Sequence, residues 1–193
     1  MPEFSARGRS GQSNEAMKRH ELEHLIRAAG AITGASEIVV IGSQAILGSE
    51  HDCSDFLLRS CEADVFTFRN PKDADLIDGS IGEGSPFHET FGYYAQGVWL
   101  DTAVLPDGWR DRLVRICNEN TRDVTGLCLE SHDLAVSKLV AGREKDIEFL
   151  TEMYRENMLE EKVIKQRISQ LGLPEDEWRR VLERWQRIAG REE

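Results

Sequence analysis

Two carboxylates one residue apart, Glu62 and Asp64, stand in the segment CEADVFTF (61–68), where they alternate with apolar neighbours. In a β-strand that alternation sends both side chains out of the same face. Paired carboxylate oxygens are ligands for a hard divalent cation such as Mg²⁺. Upstream, EIVVIGSQAILG (37–48) reads as a buried strand that turns over Gly42 and Ser43 directly into a helix running through Leu47. The free N–H groups at such a helix start favour a phosphate. A phosphate cradle beside a cation-binding pair makes a nucleotide site. An acidic pair on a strand is also often only the solvent face of an antiparallel sheet, and the Gly-Ser element is what favours metal binding here.

The elements that must position these groups are legible in outline. Leu22, Leu25, Ile26 and Ala29 recur at helical spacing, with Gly30 and Gly34 as the stop. The β-branched run Ile38 to Ile41 fits a central strand covered on both faces. Residues 71–81 open with Pro and acids and read as a helix. A long glycine-bearing loop, 82–97, concentrates Phe87, His88, Phe91, Tyr93 and Tyr94. These aromatics have two readings: packing against the sheet, or a wall beside the acids for base stacking or acceptor recognition.

Residues 97–105 and 113–117, joined by a PDGW turn, and 124–129 read as further strands. Ser131 is the expected N-cap of the next helix, with Asp133 in the first turn. The remainder is helical. Leu134, Leu139, Val140, Ile147 and Leu150 form one stripe, 158–171 a second helix and 175–188 a third, with Trp178, Leu182 and Trp185 on one face. The expected fold class is α/β (α+β): a mixed, mostly antiparallel sheet flanked by helices over 14–130, and a small C-terminal helical region over 131–193. Residues 1–13, rich in Gly, Ser and Arg, read as a disordered arm.

The Gly-Ser helix start, the acidic-x-acidic pair and a later carboxylate in VWLDTAVL resemble the signature of the DNA polymerase beta superfamily of nucleotidyltransferases. That resemblance makes Asp101 the third carboxylate. The longer run 22–150, including SPFHETFGYYAQGV, LPDGWRDRL and SHDLAVSKLVAGREKDIEFL, resembles a bacterial family of uncharacterised nucleotidyltransferase-like proteins, distantly related to the abortive-infection nucleotidyltransferase toxins. In those toxins a Lys on the helix after the sheet and an Asp two turns further on belong to the site. Lys138 and Asp146 match that spacing, which puts both on roughly one face of that helix.

The resemblance implies a metal-dependent enzyme, with Mg²⁺ or Mn²⁺, that moves a nucleoside monophosphate from an NTP to an acceptor, RNA or protein. A toxin-like role with a cognate antitoxin goes with it. Asp64 would bridge two ions, Glu62 share them, and Asp101 bind the ion that activates the acceptor hydroxyl. Ser43 and the N–H groups after Gly42 would hold the terminal phosphates. Lys138, with Arg143 or Lys145, would neutralise triphosphate charge, and Asp146 would position one of those cations or an acceptor group. The alternative class is a degenerate nucleotidyltransferase fold that binds a ligand or partner without turnover.

Bulk properties set bounds. A chain of 193 residues suits one domain, or a compact domain with a small helical appendage. A net charge of −11 disfavours duplex DNA but leaves room for an NTP or one RNA end at a local basic patch. No apolar run spans a bilayer and no signal peptide is apparent, so the expectation is a cytoplasmic protein without membrane contact. Cys53, Cys61, Cys117 and Cys128 show no zinc spacing and read as reduced thiols, the last three as core filler.

Overall fold

A computed structural model describes residues 16–49 and 52–190. The arm expected over 1–13 lies outside them. Helix α1 (Arg19–Thr33) buries Leu22, Leu25, Ile26 and Ala29 as its periodicity predicts, and ends at Gly34 in the left-handed region. It leads into β1 (Glu37–Ile41), whose last four residues are buried. A 3-10 helix, Ser43–Gly48, follows, where the sequence predicts an α-helix through Leu47. Its residues 44–48 are all buried, and the Gln44 amide donates to the carbonyls of Leu58 and Ser60. The segment ends where Gly48 packs on Cys128, leaving no room for a Cβ.

Beyond α2 (Asp55–Leu58) come β2 (Glu62–Phe66), α3 (Asp73–Ile81), α4 (Pro86–Phe91) and β3 (Tyr94–Gly97). The expected long loop over 82–97 thus contains a capped helix, with Ser85 Oγ accepting from the His88 N–H, and the whole of β3. Strand β4 (Val114–Ile116) and β5 (Thr125–Cys128) complete a five-stranded sheet in the order β3-β2-β1-β5-β4. The β1–β2 and β4–β5 pairs are antiparallel, and β1–β5 and β2–β3 are parallel. The sheet is therefore mixed in equal parts, not mostly antiparallel. The α3–α4 crossover returns the chain to lay β3 parallel to β2, as a helical connection must.

The strand expected over 97–105 does not form. Gly97 ends β3 because α3 closes on it: the Gly97 N–H donates to Asp78 Oδ1 at 2.6 Å, and a Cβ there would lie 2.1 Å from the Ala74 carbonyl oxygen. The chain then turns through a short 3-10 segment, Leu100–Thr102, with Thr102 Oγ1 accepting from the Trp99 N–H.

The single helical stripe expected from Leu134 to Leu150 is two helices, α5 (Ser131–Ala141) and α6 (Glu144–Arg155). Glu130, one residue before the expected cap, accepts from the Asp133 N–H. Gly142, at φ +60°, breaks the run, and Arg184, from further along the chain, donates to the carbonyls of Leu139 and Val140 at the end of α5. That left-handed conformation favours glycine, and a Cβ there would also have to displace the guanidinium, whose carbon would lie 2.3 Å away. Helices α7 (Glu161–Ser169) and α8 (Glu175–Ala189) follow. Trp185 is fully buried, edge-on to Tyr154, with Val181 and Ile188. Trp178, expected on the same face, is 36% exposed, because the inward positions are 181, 185 and 188. Cys128 is in the core with its thiol raised to about 12 by burial, whereas Cys117, expected there too, is exposed just past β4. No described helix is long and apolar enough to cross a membrane.

Candidate functional site

Register explains how the acids meet the Gly-Ser turn. Ile41 pairs with Asp64, so the turn at the end of β1 opens beside the acidic end of β2. Glu62, Asp64, Gly42 and Ser43 line one cavity of about 500 Å³, together with Lys138 of α5, Lys145 of α6 and Arg143 from the turn between them. Gly42 sits at φ +68°, and a Cβ there would lie 1.9 Å from Asp64 Oδ2. The glycine is what allows this carboxylate against the backbone turn. Gly42→Ala is expected to push Asp64 aside and add backbone strain, weakening Mg²⁺-triphosphate binding by about tenfold or more with circular dichroism unchanged. Wild-type affinity in a folded variant would contradict the geometry.

The two acids interact directly. Burial first, then repulsion from Glu62 and a hydrogen bond with it, raise the Asp64 carboxyl to about 7, against an opposing pull from Lys138 and Lys145. The folded protein thus holds this proton to near pH 7, whereas the unfolded chain releases it near the ordinary value of 3.8. The folded state binds more protons in between, so this contribution to stability is present below that window and lost as pH rises through it. Without divalent cation, the melting temperature of Asp64→Asn relative to wild type is expected to rise from near zero difference at pH 4 to several degrees at pH 8. A pH-independent difference in scanning calorimetry would show that Asp64 is not so perturbed.

A third carboxylate does not join the pair. Asp101 is exposed in the Leu100–Thr102 segment and lines a different cavity. The strand neighbour of Asp64 is Gln96 on β3, which lines the acidic cleft with a neutral amide. Among the described residues no three His, Cys, Asp or Glu side chains cluster as metal ligands would. The donor set fits one divalent cation, held by Glu62 and Asp64 with the remaining positions left to water and phosphate, the usual way Mg²⁺ is bound. It does not fit a second ion with a carboxylate of its own.

Opposite the acids stands a cationic wall. Lys138 Nζ lies 3.0 Å from Ser43 Oγ, 3.3 Å from Asp146 Oδ1 and 4.4 Å over the Phe149 ring. Arg143 Nε donates to Asp146 Oδ2 at 2.6 Å and Nη2 to Oδ1 at 3.2 Å. Lys138 and Asp146 therefore meet across the Gly142 break rather than along one helix. Both are buried. Burial lowers the Lys138 ammonium despite Asp146, while burial of Asp146 is outweighed by hydrogen bonds from Arg143 and the charge of Lys138, which hold its carboxyl low. Arg143 and Lys145 line the same cavity, as does Arg59.

Of the residues singled out in the sequence, the structure gathers Gly42, Ser43, Glu62, Asp64, Lys138, Arg143 and Lys145 around one cavity, with Asp146 behind Lys138. It leaves Asp101 outside. Tyr94, read in the sequence only as one of the loop aromatics, donates its hydroxyl to Glu62 Oε2 at 2.9 Å, and Gln96 was not singled out. The signal was the alternation of YAQG, which registers Tyr94 with Glu62 and Asp64 with Gln96. Phe87, Phe91 and Tyr93 surround His24 of α1 instead, and His88 rests on Tyr94.

A family profile described as a nucleotidyltransferase of unknown function (DUF6036) matches residues 20–191. No curated protein and no solved structure matches the chain.

Proposed function

Because the chain belongs to this family of nucleotidyltransferases, we propose that it transfers a nucleoside monophosphate from a Mg²⁺-bound NTP to an acceptor, using the cleft of Glu62 and Asp64. The observation that carries the proposal is the pairing of those two carboxylates with the Ser43–Lys138–Asp146 chain in one cavity.

In this reading the triphosphate lies between the acids and the cations. Lys138 donates to Ser43 Oγ, which orients the hydroxyl so that its proton points to a phosphate oxygen. Asp146, clamped by Arg143, keeps the Lys138 ammonium aimed at the cleft and charged in a buried setting. Arg143 and Lys145 add positive charge around the leaving pyrophosphate. Glu62 and Asp64 would hold the cation, with Tyr94 fixing the Glu62 carboxylate. A divalent ion bound there supplies neutralisation of the phosphate oxygens and of the acids themselves. The concentration of cations makes a local anion site in a chain of net charge −11. The acceptor class, RNA or protein, and a toxin-like role under a cognate antitoxin enter the proposal through the family resemblance alone.

Gln96 favours a second reading. With a neutral amide where a third carboxylate would stand, the same cleft can bind a nucleotide and signal its presence without turnover.

Calorimetric titration of the full chain with α,β-methylene-ATP and the matching CTP, GTP and UTP analogues, with and without Mg²⁺, tests the donor site. Binding that needs Mg²⁺ and weakens in Glu62→Gln is expected. Binding indifferent to Mg²⁺ and to Glu62 would refute the site.

A further inference from the structure

A second cavity, of about 460 Å³, begins where the acidic cleft ends. Val98 lines both. Phe66, at the start of the second cavity, follows Asp64 by two residues on β2 and so leaves the same strand face about 6.6 Å further along. A ligand seated there has one end at the acids.

The lining is not that of ordinary surface. Phe68, Trp99 and Leu100 are 44%, 50% and 45% exposed and face this one cavity, although large apolar side chains that remain in water usually occur singly. The Arg110 guanidinium lies over the Phe68 ring at 4.9 Å and the Trp109 ring at 5.5 Å, presenting a planar cation beside planar aromatic faces. Asn70 and Asp101 put an amide and a carboxylate into the same lining. Flat faces for stacking, with one donor–acceptor group and one acceptor for an edge, suit a heteroaromatic ring that carries both ring nitrogens and exocyclic amino or keto groups.

We infer that this second cavity holds the nucleobase of the acceptor, stacked among Trp99, Phe68 and Arg110, with its sugar directed over Val98 toward Glu62 and Asp64. Asp101 then reads the edge of that base. The inference rests on the proposed function in taking the acidic cleft as the donor's place. The cavity carries one cation, Arg110, and the chain is strongly acidic, so the geometry accommodates one nucleotide and not a long polyanion track. That nucleotide is either free or the end of an RNA strand, and the two share the chemistry recognised here.

The test titrates the full chain with each of the four nucleoside 5′-monophosphates and with a single-stranded hexaribonucleotide, in Mg²⁺, with and without saturating α,β-methylene-ATP. Trp99→Ala and Arg110→Ala are compared with wild type. Loss of one stacking partner is expected to weaken monophosphate binding by roughly five- to 150-fold. Donor-analogue affinity and melting temperature are expected to stay at wild-type values. Equal affinity for a monophosphate and the hexamer assigns a free nucleotide, and a tenfold preference for the hexamer assigns an RNA end. Failure of the donor analogue to bind refutes the proposed function, while a Trp99-dependent monophosphate signal would still locate the second site. Monophosphate binding unchanged in both variants, or absent from wild type, overturns the inference. So does occupation of the cavity by N-acetyltryptophanamide in preference to every monophosphate, which would mark it as a seat for a partner protein's side chain.

Discussion

Asp64→Asn is expected to reduce nucleotide transfer by on the order of a thousandfold, the several kcal/mol that charge neutralisation at a bound cation contributes to phosphoryl chemistry. The substitution keeps the shape that fits beneath Gly42 and removes only the charge. Because Asp64 is buried beside Glu62, its loss also relieves repulsion, so the variant should be at least as stable as wild type at pH 8. A rate collapse with an unchanged or higher melting temperature therefore separates a chemical role from a structural one. Glu62→Gln should lose less, because the amide oxygen can still accept from Tyr94 and still face the cation. A variant at Asp64 with wild-type turnover would remove the carboxylate from the mechanism.

Lys138→Met is expected to lower the transfer rate by roughly 10²–10³-fold, the range for deleting one preorganised charge-stabilising donor. Methionine retains an apolar stem against Phe149 and leaves Asp146 with its hydrogen bonds from the Arg143 guanidinium and backbone N–H, so the fold should survive with a small change in melting temperature. Triphosphate binding should weaken alongside the rate. Lys138→Ala should show the same chemical loss with a further drop in stability from the space left at a buried position. If the rate in Lys138→Met equals that of wild type, the chain of contacts from Asp146 through Lys138 to Ser43 is scaffolding only.

The parts of this site that were legible in the sequence are those governed by local rules. Alternation alone puts Glu62 and Asp64 on one face, and the Gly42-Ser43 turn is marked by composition. The sheet order and the break at Gly142 depend on non-local packing. Nothing near Gly142 in the sequence announces that Arg184, more than forty residues later, will occupy the space a side chain would need. The misplacement of Asp101 has the same origin: α3 closes on Gly97 and ends the strand before the chain reaches it. The register independently gives the position paired with Asp64 to Gln96, five residues before Asp101, so the strand beside the acids carries a neutral amide there. The aromatics of 82–97 were divisible only by structure, with Tyr94 turned to Glu62 and Phe87, Phe91 and Tyr93 turned to α1. Spacing found Lys138 and Asp146 through the family likeness, although the two sit on separate helices that a glycine turn brings together.

Whether the cleft turns over is decided most directly by label transfer. The full chain is incubated with each α-labelled NTP and Mg²⁺, in the presence of total RNA and, separately, of total protein, beside Asp64→Asn as control. The predicted result is label from at least one NTP carried covalently into one of the two pools by wild type and not by the variant. No transfer by wild type from any NTP into either pool, or equal transfer by wild type and Asp64→Asn, would contradict it.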